Sequence, residues 1–204
     1  MSRTFRYIAV ITYILVATYG CFSSWQHYDA RFFLYFTNLG NLYCLGLMVN
    51  ELVRLIRRKS ISLQLMQWEF GGLISILVIG AVYNLLLGDP TSATYWDNKP
   101  SVCLHLITPI LYAIYFFGTR PMRKVTVGGI QCSILLPYLY IAFIYTRHLI
   151  TGDQWFPYFF LDINRIGWSG ALYWIIGLTG IFVITGIIFI YLGKRRIRKS
   201  NIKL

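Results

Sequence analysis

Six stretches of the chain are nearly free of charge and long enough to cross a bilayer core as helices, at about 1.5 Å per residue. They run over about 7–24, 33–53, 67–87, 102–118, 127–147 and 168–192. The breaks between them, at 26–31, 54–62, 88–101, 118–124 and 148–167, are charged or rich in turn-forming residues. This pattern predicts an all-α fold, a six-helix transmembrane bundle forming a single domain over 1–204. No segment recurs clearly enough to read as a repeat.

Composition agrees with the pattern. Hydrophobic residues make up 57% of the chain and charged residues 13%, against roughly 25% charged in a typical soluble domain. A soluble domain of this size has too little interior to hide so much apolar surface. Disorder, nucleic-acid binding and an ordinary soluble enzyme are thereby excluded. The net charge of +12 does not bring nucleic acid back as a partner, because the charges sit at helix ends.

Those charges set an orientation. With both termini in the cytoplasm, 15 of the 19 Lys and Arg residues fall on the cytoplasmic side: Arg3, Arg6, the 54–59 cluster, Arg120 to Lys124 and the tail from Lys194. Only Arg31, Lys99, Arg147 and Arg165 fall on the other. Cytoplasmic loops carry such an excess. Arg3 and Arg6 ahead of an apolar run also resemble a signal peptide, but five more spans follow, and we read a retained helix.

Most aromatic residues at the outer boundary, such as Trp25, Tyr28, Tyr35, Trp155, Tyr158 and Trp168, fit an interfacial belt. Their density in 148–168 exceeds what a belt needs, so Trp155 to Leu161 is expected to cover the mouth of a cavity. Cys21, Cys44, Cys103 and Cys132 have no metal-site spacing. Cys21 and Cys103 lie at similar depth and allow a pairing, although buried free thiols are the commoner outcome.

The informative residues are polar groups inside apolar spans, where each needs a partner, a cavity or a function. They are Thr37, Asn38, Asn41, Glu69, Asn84, His105 and Thr108. Thr37 lies about 6 Å inside the outer end of its span, and Asn84 and His105 about 4–5 Å inside theirs. Three spans thus place polar groups in one layer. Thr37 and Asn41 share a helix face, as do His105 and Thr108. Pro109 cannot donate to the His105 carbonyl one turn earlier, which favours a kink beside the imidazole.

A hydroxyl is a weak nucleophile until a base takes its proton, and neutral imidazole is suited to that. Thr37 and His105 are therefore the candidate nucleophile and base, with Asn38, Asn41 and Asn84 as oxyanion or substrate-positioning donors. Thr108, Trp155, Tyr158 and Asp162 complete the expected pocket or lid. The competing reading is structural: Thr37 bonded to a backbone carbonyl and His105 bridging helices. Glu51 and Glu69, near the cytoplasmic ends of their spans, read as structural, either paired with the 54–59 basic cluster or snorkelling. A metal site from His105, His148, Asp89 and Asp153 has no supporting ligand spacing, and neither metal nor cofactor is expected.

Three short motifs occur in one order: Phe36-Thr37-Asn38-Leu39-Gly40-Asn41, His105-Leu106-Ile107-Thr108-Pro109, and Trp155-Phe156-Pro157-Tyr158-Phe159-Phe160-Leu161-Asp162. The chain resembles, over nearly its whole length, the androgen-induced gene product and androgen-dependent TFPI-regulating protein family, together with bacterial six-helix relatives. The resemblance implies an integral membrane hydrolase of fatty acid esters of hydroxy fatty acids, or of similar lipid esters. Thr37 and His105 match its catalytic threonine and histidine. The Asn38 and Asn41 pair resembles the bacterial branch, which implies a bacterial plasma membrane; the charge asymmetry and the shared polar depth put the site toward its outer leaflet. A membrane lipid or fatty acyl ester is the implied partner. The alternatives are a non-catalytic lipid-binding protein and a small transporter. A transporter calls for ionisable groups along the whole membrane thickness, whereas most span centres here are apolar.

Overall fold

The computed structural model describes residues 3–201, with side chains as far as Lys194. The basic side chains from Arg195 onward therefore lie outside the described residues. Six long helices account for most of the fold, and no strand occurs among the described residues. They are α1 (Arg3–Tyr28), α2 (Phe36–Ile56), α3 (Leu63–Leu87), α4 (Lys99–Thr119), α5 (Val127–Thr151) and α6 (Ile163–Asn201). Each is long and apolar enough to cross a membrane, so the protein is a multi-pass membrane protein.

The helix ends differ from the sequence expectation for local reasons. Ser62 extends α3 backwards by accepting the Leu65 N–H at 3.2 Å, a side-chain N-cap. Asp162 does the same for α6, accepting N–H groups of Asn164 and Arg165 at 3.1 and 3.3 Å. One turn later Gly167, at φ 69° and ψ 171°, kinks α6. That conformation strains any residue with a Cβ. The expected loop at 88–101 contains a helical turn at Ala93–Asp97 and the first turn of α4.

α3 is the central helix, packing against α2, α4, α5 and α6. Over their most apolar stretches, 56% of α3 but only 11% of α6 is buried. The core joins Tyr13 of α1, Cys44 and Met48 of α2, Phe70 and Ile74 of α3, and Tyr112 and Phe116 of α4. Ile176, Ile184 and Ile188 of α6 remain outside it, among the apolar side chains that a bilayer would cover. Gly71 lets α5 approach closely, since a Cβ there would meet the Ser133 backbone nitrogen at 2.9 Å.

One end of the bundle is tied by charge. Glu51, fully buried, receives Arg6 at 2.5 Å, Arg54 at 3.1 Å and Arg120 at 2.7 Å. Arg120 also holds Glu69 through two nitrogens, and the Tyr115 hydroxyl donates to Glu69 at 3.3 Å. The expected pairing with 54–59 thus holds for Glu51 and Arg54, but the partner of Glu69 is Arg120. Burial by itself would make Arg120 easier to deprotonate, and the Glu69 carboxylate more than reverses that. The network connects α1, α2, α3 and the end of α4. The candidate site lies at the opposite end.

Candidate active site

The site is assembled from helix ends whose backbone departs from regular α geometry. α3 finishes in a π-helical turn, Tyr83–Leu87, and α4 contains another, Cys103–Ile107. Such wide turns re-aim side chains and are common at functional sites. Here one carries Tyr83 and the other His105, and their rings stack with centroids 3.4 Å apart and planes 14° from parallel.

Thr37, the second residue of α2, meets the imidazole. Its Oγ1 lies 3.2 Å from His105 Nε2. His105 Nδ1 lies 2.8 Å from the Ser101 carbonyl oxygen, which can only accept. Nδ1 therefore carries the proton, and Nε2 is left as the acceptor for the Thr37 hydroxyl. Ser101 Oγ is 3.0 Å from Nδ1 and donates to the Tyr83 hydroxyl at 2.8 Å, linking both flanks of the ring.

The three asparagines take different positions. Asn41 gives its amide hydrogens to the carbonyls of Thr37 and Leu104, at 2.9 and 3.1 Å, and accepts from Thr108 at 2.7 Å. Asn84 gives its own to the carbonyls of Gly80 and His105, at 2.7 and 3.0 Å, and accepts from Tyr95 at 2.5 Å. The carbonyl that Pro109 leaves without its α-helical donor is thus taken up by Asn84. In both cases the donors expected for an oxyanion are spent on backbone, and these residues brace α2, α3 and α4. Asn38 gives one amide hydrogen to the Phe32 carbonyl, accepts from Ser24, and still lines the cavity.

Of the expected lid, only Tyr158 reaches the pair. The Thr37 backbone N–H donates to the Tyr158 hydroxyl oxygen at 3.4 Å. That N–H is free for this because the first turn of a helix has no carbonyl preceding it. Burial raises the Tyr158 pKa, so the phenol keeps its proton. Trp155 lies outside the cavity, flanked by Arg31 and Arg147 at 5.8 and 6.0 Å from its ring. Asp162 is the α6 cap described above, and Thr108 is buried under Asn41.

Two cavities of opposite character meet at Thr37. One is a chamber of about 610 Å³ with many polar lining groups, among them Ser24, His27, Asn38, Asn98, Ser101 and His105. The other is a narrow slot of about 80 Å³, whose walls include Phe36, Val78, Val82, Ile134, Pro137 and Phe182. Thr37, Tyr83, Leu87 and Tyr158 line both.

Four contributors gave no sequence signal strong enough to single out: Tyr83, Ser101, Ser24 and His27. Ser101 stands one helical turn before His105, the one spacing that pointed to it. Cys21, Cys44, Cys103 and Cys132 are free thiols. No group of three metal-binding side chains occurs among the described residues. His148 instead faces the Asp153 carbonyl at 2.8 Å, and Asp89 is held by Thr91. No protein-family model, curated protein or solved structure matches the chain.

Proposed function

We propose that the protein is an intramembrane hydrolase of lipid esters, with Thr37 as nucleophile and His105 as general base. The observation that carries this is the 3.2 Å contact between Thr37 Oγ1 and an unprotonated His105 Nε2, where an apolar slot meets a polar chamber. A lipid ester has the same two-sided character, with its carbonyl at the boundary. The order of the three motifs, which resembles that of the androgen-induced family, supports the same reading, although the animal members have one more residue between the histidine and the proline than His105 and Pro109 here.

In this mechanism Nε2 takes the Thr37 proton as Oγ1 adds to the ester carbonyl carbon. The tetrahedral adduct collapses, the carbon–oxygen bond to the alcohol breaks, and His105 returns the proton to the departing alkoxide. Water, deprotonated by the same imidazole, then cleaves the acyl-threonine to free fatty acid. The Tyr158 O–H, which stands at the Thr37 backbone and whose hydrogen is not given to another group there, is the donor assigned to the developing oxyanion, in place of the committed amides of Asn41 and Asn84. An oxyanion donor of this kind contributes about 10²–10³ in rate. The positive N-terminal end of α2 adds to the same field.

By the basic-residue asymmetry, both termini lie in the cytoplasm and the site faces the outer leaflet, and the resemblance to the bacterial branch implies a bacterial plasma membrane. The test is a fluorophosphonate probe combined with fatty acid release from a lipid ester panel. Wild-type protein is labelled and active. Thr37→Ala and His105→Ala lose both with folding retained, and Thr37→Ser keeps part of the activity. Turnover by Thr37→Ala equal to wild type removes the nucleophile. No turnover or labelling by wild type favours a lipid-binding protein instead.

A further inference from the structure

We propose that the ester cleaved at this site joins a straight-chain fatty acid to an uncharged polyhydroxy alcohol, with the acyl chain in the slot and the polyol in the chamber. This rests on the hydrolase reading above. The ester carbonyl must sit against Thr37 Oγ1, so its two substituents leave in different directions, one into each cavity. The slot is narrow and walled by the apolar side chains of α2, α3, α5 and α6. Its apolar lining favours methylenes over a hydrated group.

The chamber has the chemistry of a polyol site. The Ser23 hydroxyl, the His27 imidazole, the Tyr28 and Tyr35 phenols and the Asn98 amide N–H₂ line it. Among the described residues, none of these groups donates or accepts a hydrogen bond within the protein. Together they offer both donors and acceptors. Tyr28 and Tyr35 stand with ring centroids 4.6 Å apart, and the His27 ring centroid lies 4.6 Å from that of Tyr28. Aromatic faces beside neutral hydrogen-bonding groups suit a molecule whose C–H faces are apolar and whose rim is hydroxylated.

A hydroxy fatty acid fits this chamber less well. Its alcohol half carries a second long chain and a carboxylate, and the lining residues include neither Lys nor Arg to receive that charge. Glyceryl and glycosyl esters share the favoured chemistry, and the assay separates them.

The experiment uses the full chain in a zwitterionic detergent without sugar groups. Palmitate release is measured from 1-palmitoylglycerol, 6-palmitoylglucose, methyl palmitate and the palmitoyl ester of hydroxystearic acid. At least one polyol ester is expected to exceed both other esters in kcat/KM by about tenfold or more, and which one does so identifies the alcohol. Tyr35→Phe and Asn98→Leu should bring the ratio of polyol ester to methyl ester towards one. Equal or faster cleavage of the hydroxystearate or methyl ester overturns this proposal while leaving Thr37-dependent hydrolysis standing. Absence of both palmitate release and Thr37-dependent fluorophosphonate labelling overturns the hydrolase reading, and this one with it.

Discussion

A catalytic imidazole needs a fixed tautomer and a fixed plane, and His105 obtains them from two different neighbours. The Ser101 carbonyl holds the proton on Nδ1, while Tyr83 covers one face of the ring. Ser101→Ala keeps the carbonyl, so its cost in kcat should be only a few-fold. Tyr83→Ala removes the ring that sets the imidazole plane and opens it to the chamber. A misplacement of about 1 Å costs up to 10²-fold in rate. We therefore expect Tyr83→Ala to lower kcat by about 10–100-fold and to slow fluorophosphonate labelling of Thr37 in parallel. Unchanged labelling would show that Tyr83 does not orient the ring.

Among the helices, α3 and α4 depend on each other at the site. Pro109 withholds an N–H from the His105 carbonyl, and Asn84 supplies one from the neighbouring helix. Leaving a buried carbonyl without a donor costs about 1–3 kcal/mol. Asn84→Leu should be destabilising by about that amount. Adding Pro109→Ala restores a local donor, so the double variant should lose less stability than the two single losses summed. A thermal or denaturant cycle in detergent measures that coupling, and strict additivity would refute it. The close approach is equally specific: a Cβ at Gly80 would lie 2.8 Å from the His105 carbonyl oxygen. Gly80→Ala should push α4 away from α3 and lower activity before it lowers helix content.

Across the whole molecule, charge is concentrated at one end and the site at the other. Arg120 is the hub of the buried ionic cluster, touching both Glu51 and Glu69. Removing one partner from such a cluster strands a buried charge, at about 3–5 kcal/mol. Arg120→Ala should show that loss in detergent unfolding, and Arg120→Met with Glu69→Leu should recover much of it. A melting temperature unmoved by Arg120→Ala would show that the cluster is not holding α1 to α4 together. The orientation is tested separately. A cysteine replacing Thr94, between α3 and α4, should react with an impermeant thiol reagent added outside intact cells, and one replacing Arg57 should not. The opposite pattern reverses the topology and puts the site on the cytoplasmic side.

The sequence by itself determined the six helices, because a bilayer demands long apolar runs whose backbone bonds close internally. It also located Thr37, His105 and Asn84 in one layer, since rise per residue converts position into depth. It could not give rotation about each helix axis, and rotation separates a donor into the cavity from a brace between helices. Asn41 and Asn84 have the depth of catalytic amides, yet tertiary packing turns both onto carbonyls. Tyr83 sits amid ordinary apolar residues, and only the packing of the two π-helical turns stacks it on the imidazole, whereas Ser101 reaches His105 from one turn earlier on the same helix. Arg120 lies beyond the end of an apolar run, and only the bundle's packing buries it against carboxylates from two other helices. Depth follows from chain length along one axis, whereas facing depends on contacts between residues far apart in the chain, which the three-dimensional packing alone decides.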